Sequence, residues 1–425
     1  MTKAHKPKER LVVIGNGMAG CRAVEEVLKR DPSRYDVTIF GAEPRVNYNR
    51  IMLSPVLAGE KTFDDIVIND EAWYRDNGIT LQAGRAVTAV DLDGRKVVAE
   101  GGLEVGYDKL ILATGSDPFR LPLPGADLKG VVTFRDLDDV EAMVEASGKP
   151  GARAVVIGGG LLGLEAANGL ALRGMAVTVV HLGEWLLNRQ LDPQAGALLE
   201  ASLRQRGLDF ALGAQTAALQ GDASGRVRAV RLEDGRELPA DLVVMAAGIV
   251  PHTSLAEQAG LLCQRGIVVN DTLQTVTDPR IYAVGECAAH RGVAYGLVAP
   301  LFEQARVCAT HLAQFGIGRY RGSQTHTQLK VTGIRLFSAG DFMGGEGTEA
   351  ILLSDPAGGL YKKLVLQGDR LVGVCLYGDT ADGPWYFELL REGRALGPLR
   401  ERLMFGERAC QGAAPAQAPT WREAA

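Results

Sequence analysis

The chain lacks an apolar run long enough to cross a bilayer: its longest, such as Ala154–Leu164 and Leu242–Val250, fall well short of the roughly 18 residues a span needs. A membrane partner is therefore not expected. It also lacks a basic block. The formal net charge of -5 is spread along the sequence, so nothing supplies the electrostatic footprint that nucleic acid or an anionic surface requires. Between the opening MTKAHKPKER and the first strand there is no apolar segment of the kind a secretory signal carries, which predicts a cytoplasmic protein. Cysteine is sparse and unclustered. Cys21, Cys263, Cys287, Cys308, Cys375 and Cys410 form no C-x-x-C or C-x-x-x-x-C pair, which argues against a redox dithiol or local metal cluster and for mostly buried, inert thiols. The histidines, His5, His181, His252, His290, His311 and His326, show no ligand spacing, so no metal is expected.

What is abundant is glycine, 53 residues in a chain of 425, together with 46% hydrophobic residues. That combination suits α/β units whose tight strand-to-helix turns need residues without a Cβ, and at roughly 150 residues per domain the length implies several domains. The first unit reads as strand Arg10–Gly15, a glycine turn, a helix to about Arg30 and strand Tyr35–Phe40, followed by an irregular segment. Strand Lys109–Ala113 runs into Thr114-Gly115, after which Pro118, Pro122 and Pro124 break the chain at a domain crossover. The same grammar then repeats: strand Ala154–Ile157, turn Gly158–Gly163, helix to about Arg173, strand Ala176–Val180. Strand Asp241–Ala246 ends at Gly248 and strand Arg280–Val284 at Gly285, so the chain returns to its first domain. Alternating runs at Thr348–Leu353, Tyr361–Leu366 and Leu371–Leu376, with a helix from about Trp385, read as a small antiparallel α+β domain. The expected architecture is α/β: two Rossmann-like dinucleotide-binding domains, the second (119–247) inserted in the first (1–118 and 248–322), then an α+β domain (323–407) and a disordered tail (408–425) rich in Ala, Gln and Pro.

Gly15-Asn16-Gly17-Met18-Ala19-Gly20 is a G-x-G-x-x-G turn between strand and helix, where free backbone N–H groups and the helix dipole meet a pyrophosphate. Glu43, 23 residues past the third glycine, stands where a carboxylate accepts hydrogen bonds from an adenosine ribose. Gly158-Gly159-Gly160-Leu161-Leu162-Gly163 repeats the turn in the same context, so two dinucleotides are expected rather than one. Glu165 is either a first-turn acid favoured by the helix dipole or, as the candidate catalytic residue, a contact to a nicotinamide ribose. His181 occupies the strand end where an acid would select NAD; it is either a ligand contact or an ordinary strand-end histidine. With Leu182 and Gly183 following and no arginine to pair a 2′-phosphate, NADH is favoured over NADPH.

These residues resemble the two-dinucleotide flavoprotein reductases of the glutathione-reductase class. In that class a Thr-Gly after the last short strand of the first domain and a late Gly-Asp or Gly-Glu both lie at the flavin; Ala113-Thr114-Gly115 and Ala283-Val284-Gly285-Glu286 match them. Further likeness lies in Glu43-Pro44-Arg45-Val46-Asn47-Tyr48-Asn49-Arg50 with Leu53-Ser54, in Tyr295-Gly296-Leu297-Val298-Ala299-Pro300, and in Gly359-Leu360-Tyr361-Lys362-Lys363-Leu364 with Gly378-Asp379. Together they look like the flavin portion of assimilatory NAD(P)H-nitrite reductase large subunits and the electron-transfer subunits of assimilatory nitrate reductases. The resemblance implies FAD on the first unit, with Arg50 near it, Glu286 accepting from its ribityl chain and the helix opening near Pro300 pointing at its ring. Val87 and Gly248 complete the candidate cofactor-binding positions.

The resemblance further implies hydride transfer from NADH to FAD and then electron transfer to an iron–sulfur or haem partner, the nitrate or nitrite reductase catalytic subunit. Such hydride transfer rests on stacking and positioning, so no acid–base residue is obligatory. The nitrite reductases continue into cysteine-rich cluster and siroheme domains, and this chain carries no such cysteine set, so it is not expected to reduce nitrite alone. No cysteine stands between Tyr48 and Pro55, which disfavours disulfide and peroxide chemistry. Pro55 follows Ser54 where reductases of ferredoxin-like and rubredoxin-like carriers often have lysine. The alternatives are a free-standing ferredoxin or rubredoxin reductase, or a non-catalytic flavin-binding protein, although both glycine turns are intact.

Overall fold

The computed structural model describes residues 8–329, 331 and 333–411, and within them the chain forms two compact units. The first holds the chain up to Phe119, Arg135–Leu137 and Gly248–Ser323; the second holds Arg120–Phe134, Asp138–Ala247 and the chain from Gln324.

At the centre of the first unit is a parallel five-stranded sheet in the order Ile281–Ala283, Lys109–Leu112, Glu9–Ile14, Tyr35–Gly41, Ile79–Ala83. Its runs of Val, Ile and Leu are buried on both faces, as a parallel sheet covered by helices demands. Helix Met18–Arg30 buries Ala19, Ala23, Val24 and Val27 toward the core and sets Lys29 and Arg30 against its C-terminal dipole. Helix Val298–Leu312 packs beside it. The segment after Phe40 is not irregular. It carries short helices Leu53–Ala58 and Glu71–Asp76, the sheet-edge strand Ile79–Ala83, and an antiparallel meander of Val87–Asp91, Lys96–Ala99 and Leu103–Gly106. These elements run four to six residues, too short to print a helical period, and the left-handed Gly101 and Gly102 that join the last two strands read locally as loop.

The second unit repeats the parallel design in the order Val131–Val132, Leu242–Met245, Arg153–Ile157, Ala176–His181, Leu208–Leu212, with helices Leu161–Leu172 and Pro193–Arg204. It also contains the C-terminal sheet, ordered His326–Thr327, Leu336–Gly340, Arg370–Tyr377, Leu360–Gln367, Glu349–Asp355 and antiparallel throughout. Helix Gly383–Glu392 closes that sheet's core, where Tyr386 and Leu389 meet Phe337, Leu364 and Val374. The expected tail begins too early: Glu407–Cys410 is helical and Cys410 is buried, while 412–425, like His5, lie outside the described residues. The fold is therefore α/β, with two Rossmann-like sheets, the second inserted in the chain of the first, and a C-terminal α+β part. No helix among the described residues is long and apolar enough to cross a membrane.

Candidate functional site

In each glycine turn the outer glycines are required by backbone packing and the middle one by empty space. Gly15 has φ of +119°, and a Cβ there would overlap the Ala113 carbonyl, while one on Gly20 would overlap the carbonyl of Gly15. Gly17 is different: it is the N-cap of helix Met18–Arg30, no side chain caps the helix, and a Cβ would meet nothing within 4 Å. Met18 and Ala19 form the first, buried residues of that helix. The second turn is built alike. Gly158 has φ of +129° against the Ala246 carbonyl, Gly163 sits against the Gly158 carbonyl, and Gly160 is an uncapped N-cap with open space around it. An uncapped helix N-terminus beside a glycine with open space around it suits first-turn N–H donation to an anion. Both turns thus fit the pyrophosphate of a dinucleotide.

Side chains hold each turn in shape. The Asn16 amide donates to the Arg45 carbonyl (3.2 Å) and accepts from the Tyr74 hydroxyl (2.8 Å), and Asn47 donates to the Asn16 carbonyl (2.9 Å). In the second turn Gly159 N–H donates to His181 Nδ1 (3.2 Å), and Leu187 N–H donates to the Gly159 carbonyl (3.0 Å). His181 is half-buried, and that burial pushes its pKa below 6.5. Leu161 and Leu162 open the second helix. Glu165 is its fifth residue, one turn further in than a first-turn acid, and is buried; the dipole-acid reading fails on this geometry.

In the first unit the predicted carboxylates are joined through arginines. Glu43 accepts from the Tyr48 hydroxyl (2.7 Å) and pairs with Arg50, whose guanidinium also lies over the Tyr48 ring. Arg50 then donates to the Arg135 carbonyl (2.9 Å), and Arg135 Nη2 donates to Glu286 Oε2 (2.5 Å), which also accepts from Ser116 (2.7 Å). The fold thus brings Glu43, Arg50 and Glu286 into one network. Sequence reasoning missed its central residue, Arg135, and also Ser116. Arg135 enters from a three-residue segment flanked on both sides by chain of the other unit, so no local pattern marks it.

The remaining positions frame this network. The Thr114 hydroxyl donates to the His252 carbonyl (2.7 Å), and Gly115 has φ of +73°. Gly285 donates to buried Gln304 (2.8 Å) and adopts φ of +93° close beside Ala19. Gly248 has φ of +119° and accepts from Phe119 N–H (2.9 Å). Pro300 is the third residue of helix Val298–Leu312 and is buried. Val87 pairs instead with Ala99 in the meander and packs on the core.

All six cysteines are free, and five are buried. Burial pushes the Cys21 thiol up to about 12, so it stays protonated, hydrogen-bonding Asn16. Among the described residues no group of three or more His, Cys, Asp or Glu could hold a metal.

Comparison with known proteins agrees with this geometry. The pyridine nucleotide-disulphide oxidoreductase family matches residues 9–312, and the rubredoxin NAD+ reductase C-terminal domain matches 326–394. A nitrite reductase [NAD(P)H] of Bacillus subtilis is 51% identical over 91% of this chain and 47% of its own length. The assimilatory nitrate reductase electron transfer subunit of the same organism is 44% identical over 95% of this chain and 54% of its own. The chain thus spans about half the length of these curated relatives. A solved structure of a covalent putidaredoxin reductase–putidaredoxin complex matches with a TM-score of 0.82 at 28% identity, covering 94% of this chain and 99% of that one. Members of this family bind FAD and NAD(P)H, two dinucleotides for two Rossmann-like sheets each with a glycine turn, and the chain belongs to the pyridine nucleotide-disulphide oxidoreductase family.

Proposed function

We propose that this chain takes hydride from NADH onto FAD and passes electrons to an iron–sulfur or haem partner in the cytoplasm, as the electron-transfer portion of an assimilatory nitrate or nitrite reductase. The observation that carries the reading is the duplicated turn, in which Gly17 and Gly160 each leave an uncapped helix N-terminus open to an anion. The bound cofactors supply the redox chemistry, hydride acceptance at the flavin and donation at the nicotinamide. The protein supplies position. Gly15–Gly20 would seat the FAD pyrophosphate, Glu43 held by Arg50 its adenosine ribose, and Glu286 held by Arg135 its ribityl chain. Gly158–Gly163 would seat the NADH pyrophosphate, with His181 at its adenosine end and Glu165 toward its nicotinamide ribose. No side chain needs to move a proton for hydride transfer. Six free cysteines suit a reducing compartment.

A second reading, reduction of a ferredoxin or rubredoxin, is favoured by the C-terminal match to the rubredoxin reductase domain and by the putidaredoxin reductase neighbour. An anaerobic absorbance titration with NADH, then NADPH, followed by addition of candidate partners, separates the two. Bleaching by NADH with reoxidation by a nitrate- or nitrite-reductase partner supports the first reading, and reoxidation by ferredoxin or rubredoxin alone replaces it with the second. A flavin that NADH leaves oxidised rules out both.

A further inference from the structure

The sequence motif Gly359-Leu360-Tyr361-Lys362-Lys363-Leu364 has no place in the cofactor network, yet its side chains are committed to two tasks. Along strand Leu360–Gln367 successive side chains alternate faces. Lys362, 8% exposed at its side chain, pairs with Asp379 (2.6 Å), which ties the strand to the Gly378-Asp379 turn. Tyr361 and Lys363 point the other way, and both reach Asp192. The Tyr361 hydroxyl donates to Asp192 Oδ2 (2.5 Å), and Lys363 Nζ lies 3.3 Å from the same oxygen. Asp192 is 3% exposed, so its side-chain oxygens find their partners in protein groups rather than in water. Burial, then the Asp192 carboxylate, pushes the Tyr361 pKa far up, which keeps its hydroxyl a donor.

Asp192 has a second role, at the start of the next helix. It is the N-cap of helix Pro193–Arg204, accepting from Ala195 N–H (3.1 Å), and it ends the loop that leaves the sheet at His181. That loop is pinned at both ends. Its Leu187, a non-glycine residue at φ of +53°, donates to the Gly159 carbonyl, while His181 accepts from the Gly159 N–H. Its later part is fixed by Trp185 Nε1–H donating to the Leu191 carbonyl (2.9 Å) and by the buried Leu186, Leu187 and Leu191. A non-glycine residue in the left-handed region persists only where its surroundings over-determine it. Here the surroundings end at Asp192, and Asp192 is held by the C-terminal sheet.

We propose that Tyr361 and Lys363 are positioning residues for the nicotinamide dinucleotide: through Asp192 they fix the 182–191 loop, and through that loop the Gly159 peptide of the pyrophosphate turn. This rests on the assignment of Gly158–Gly163 to NAD(P)H made above. It gives the C-terminal domain a part in cofactor binding that is separate from any docking of an electron acceptor.

The test uses the FAD-loaded full chain and NAD+ as the probe, with binding followed by calorimetry and amide exchange followed at Gly159 and Leu187. Tyr361→Phe is expected to weaken NAD+ about tenfold, the low end for loss of one hydrogen bond to a charged group, and to speed exchange at both amides. FAD content stays unchanged, and in turnover KM for NADH rises while kcat holds within about twofold, a split that general loss of stability would not give. Lys363→Met, which keeps the buried stem, provides the same test should Tyr361→Phe fail to fold. NAD+ affinity within about twofold of wild type, with unchanged exchange, overturns the proposal. If the wild-type protein itself binds neither NAD+ nor NADH, the assignment of the second glycine turn falls, and this inference with it.

Discussion

Gly160 and Gly163 stand three residues apart in one turn, yet the reasons for their lack of a side chain are opposite. At Gly163 a Cβ would overlap the Gly158 carbonyl, a backbone atom that cannot swing aside. Gly163→Ala is therefore expected to cost about 1–3 kcal/mol of stability, as overpacking does. At Gly160 the backbone is ordinary, with φ of -83°, and a Cβ would meet nothing. Gly160→Ala should cost under about 1 kcal/mol, the loss of a tolerable N-cap, but weaken NAD+ more than about tenfold by filling the space a pyrophosphate needs. Thermal melts paired with NAD+ calorimetry check both, and equal stability losses with equal affinity would sink the distinction. His181 carries the pH dependence of the same turn. Its burial lowers its pKa from 6.5, so between 6.5 and the lower folded value the unfolded chain binds the extra proton. Stability conferred by neutral His181 is then fully present above 6.5 and is lost as pH falls through the folded pKa, when Nδ1 ceases to accept from Gly159. His181→Asn, which offers an acceptor that does not titrate, should flatten the drop in melting temperature between about pH 7 and about pH 5; parallel curves for the two proteins would contradict this account.

At the scale of elements, what could be read from sequence is what local chemistry writes. Both strand–turn–helix openings were legible because the glycine spacing and the flanking Val and Ile runs sit within one stretch, and the observed bounds Met18–Arg30 and Leu161–Leu172 follow them closely. The stretch after Phe40 was not legible. Its strand Ile79–Ala83 earns its place by pairing with Tyr35–Gly41 from far along the chain, and its other pieces are too short to show a period. Within the site, Glu43, Arg50 and Glu286 could be named, but not the residue that links them, because Arg135 arrives from a segment bordered by the other unit. Of the two readings of Glu165 the first-turn acid fails, because the helix starts at Leu161, which puts the carboxylate in the second turn and buries it. The Tyr361-Lys362-Lys363 motif could be matched to relatives but not interpreted. The strand's alternation, and not the sequence neighbourhood, sends Lys362 to Asp379 and its two neighbours to Asp192.

For the whole molecule, the grouping of the C-terminal sheet with the second Rossmann-like sheet has a thermodynamic consequence. A ligand that binds only the native state stabilises whatever unfolds cooperatively with its site, by about 2.7 kcal/mol at a concentration near 100 times its dissociation constant. If the second unit unfolds as one body, NAD+ at that excess should slow amide exchange in strands Leu360–Gln367 and Arg370–Tyr377 as much as in Arg153–Ile157 and Ala176–His181, although the first pair lies in a different sheet from the glycine turn. FAD should instead protect Glu9–Ile14 and Tyr35–Gly41, whose sheet carries the first turn. The chain then departs from two-state behaviour, with each cofactor moving its own part of the melt. Exchange measured on the apoprotein with each ligand added separately checks this. Were NAD+ to protect Arg153–Ile157 and leave Leu360–Gln367 untouched, the hydrogen bond from Tyr361 to Asp192 would join two bodies that unfold independently, and the C-terminal sheet would have no thermodynamic hold on the nucleotide turn.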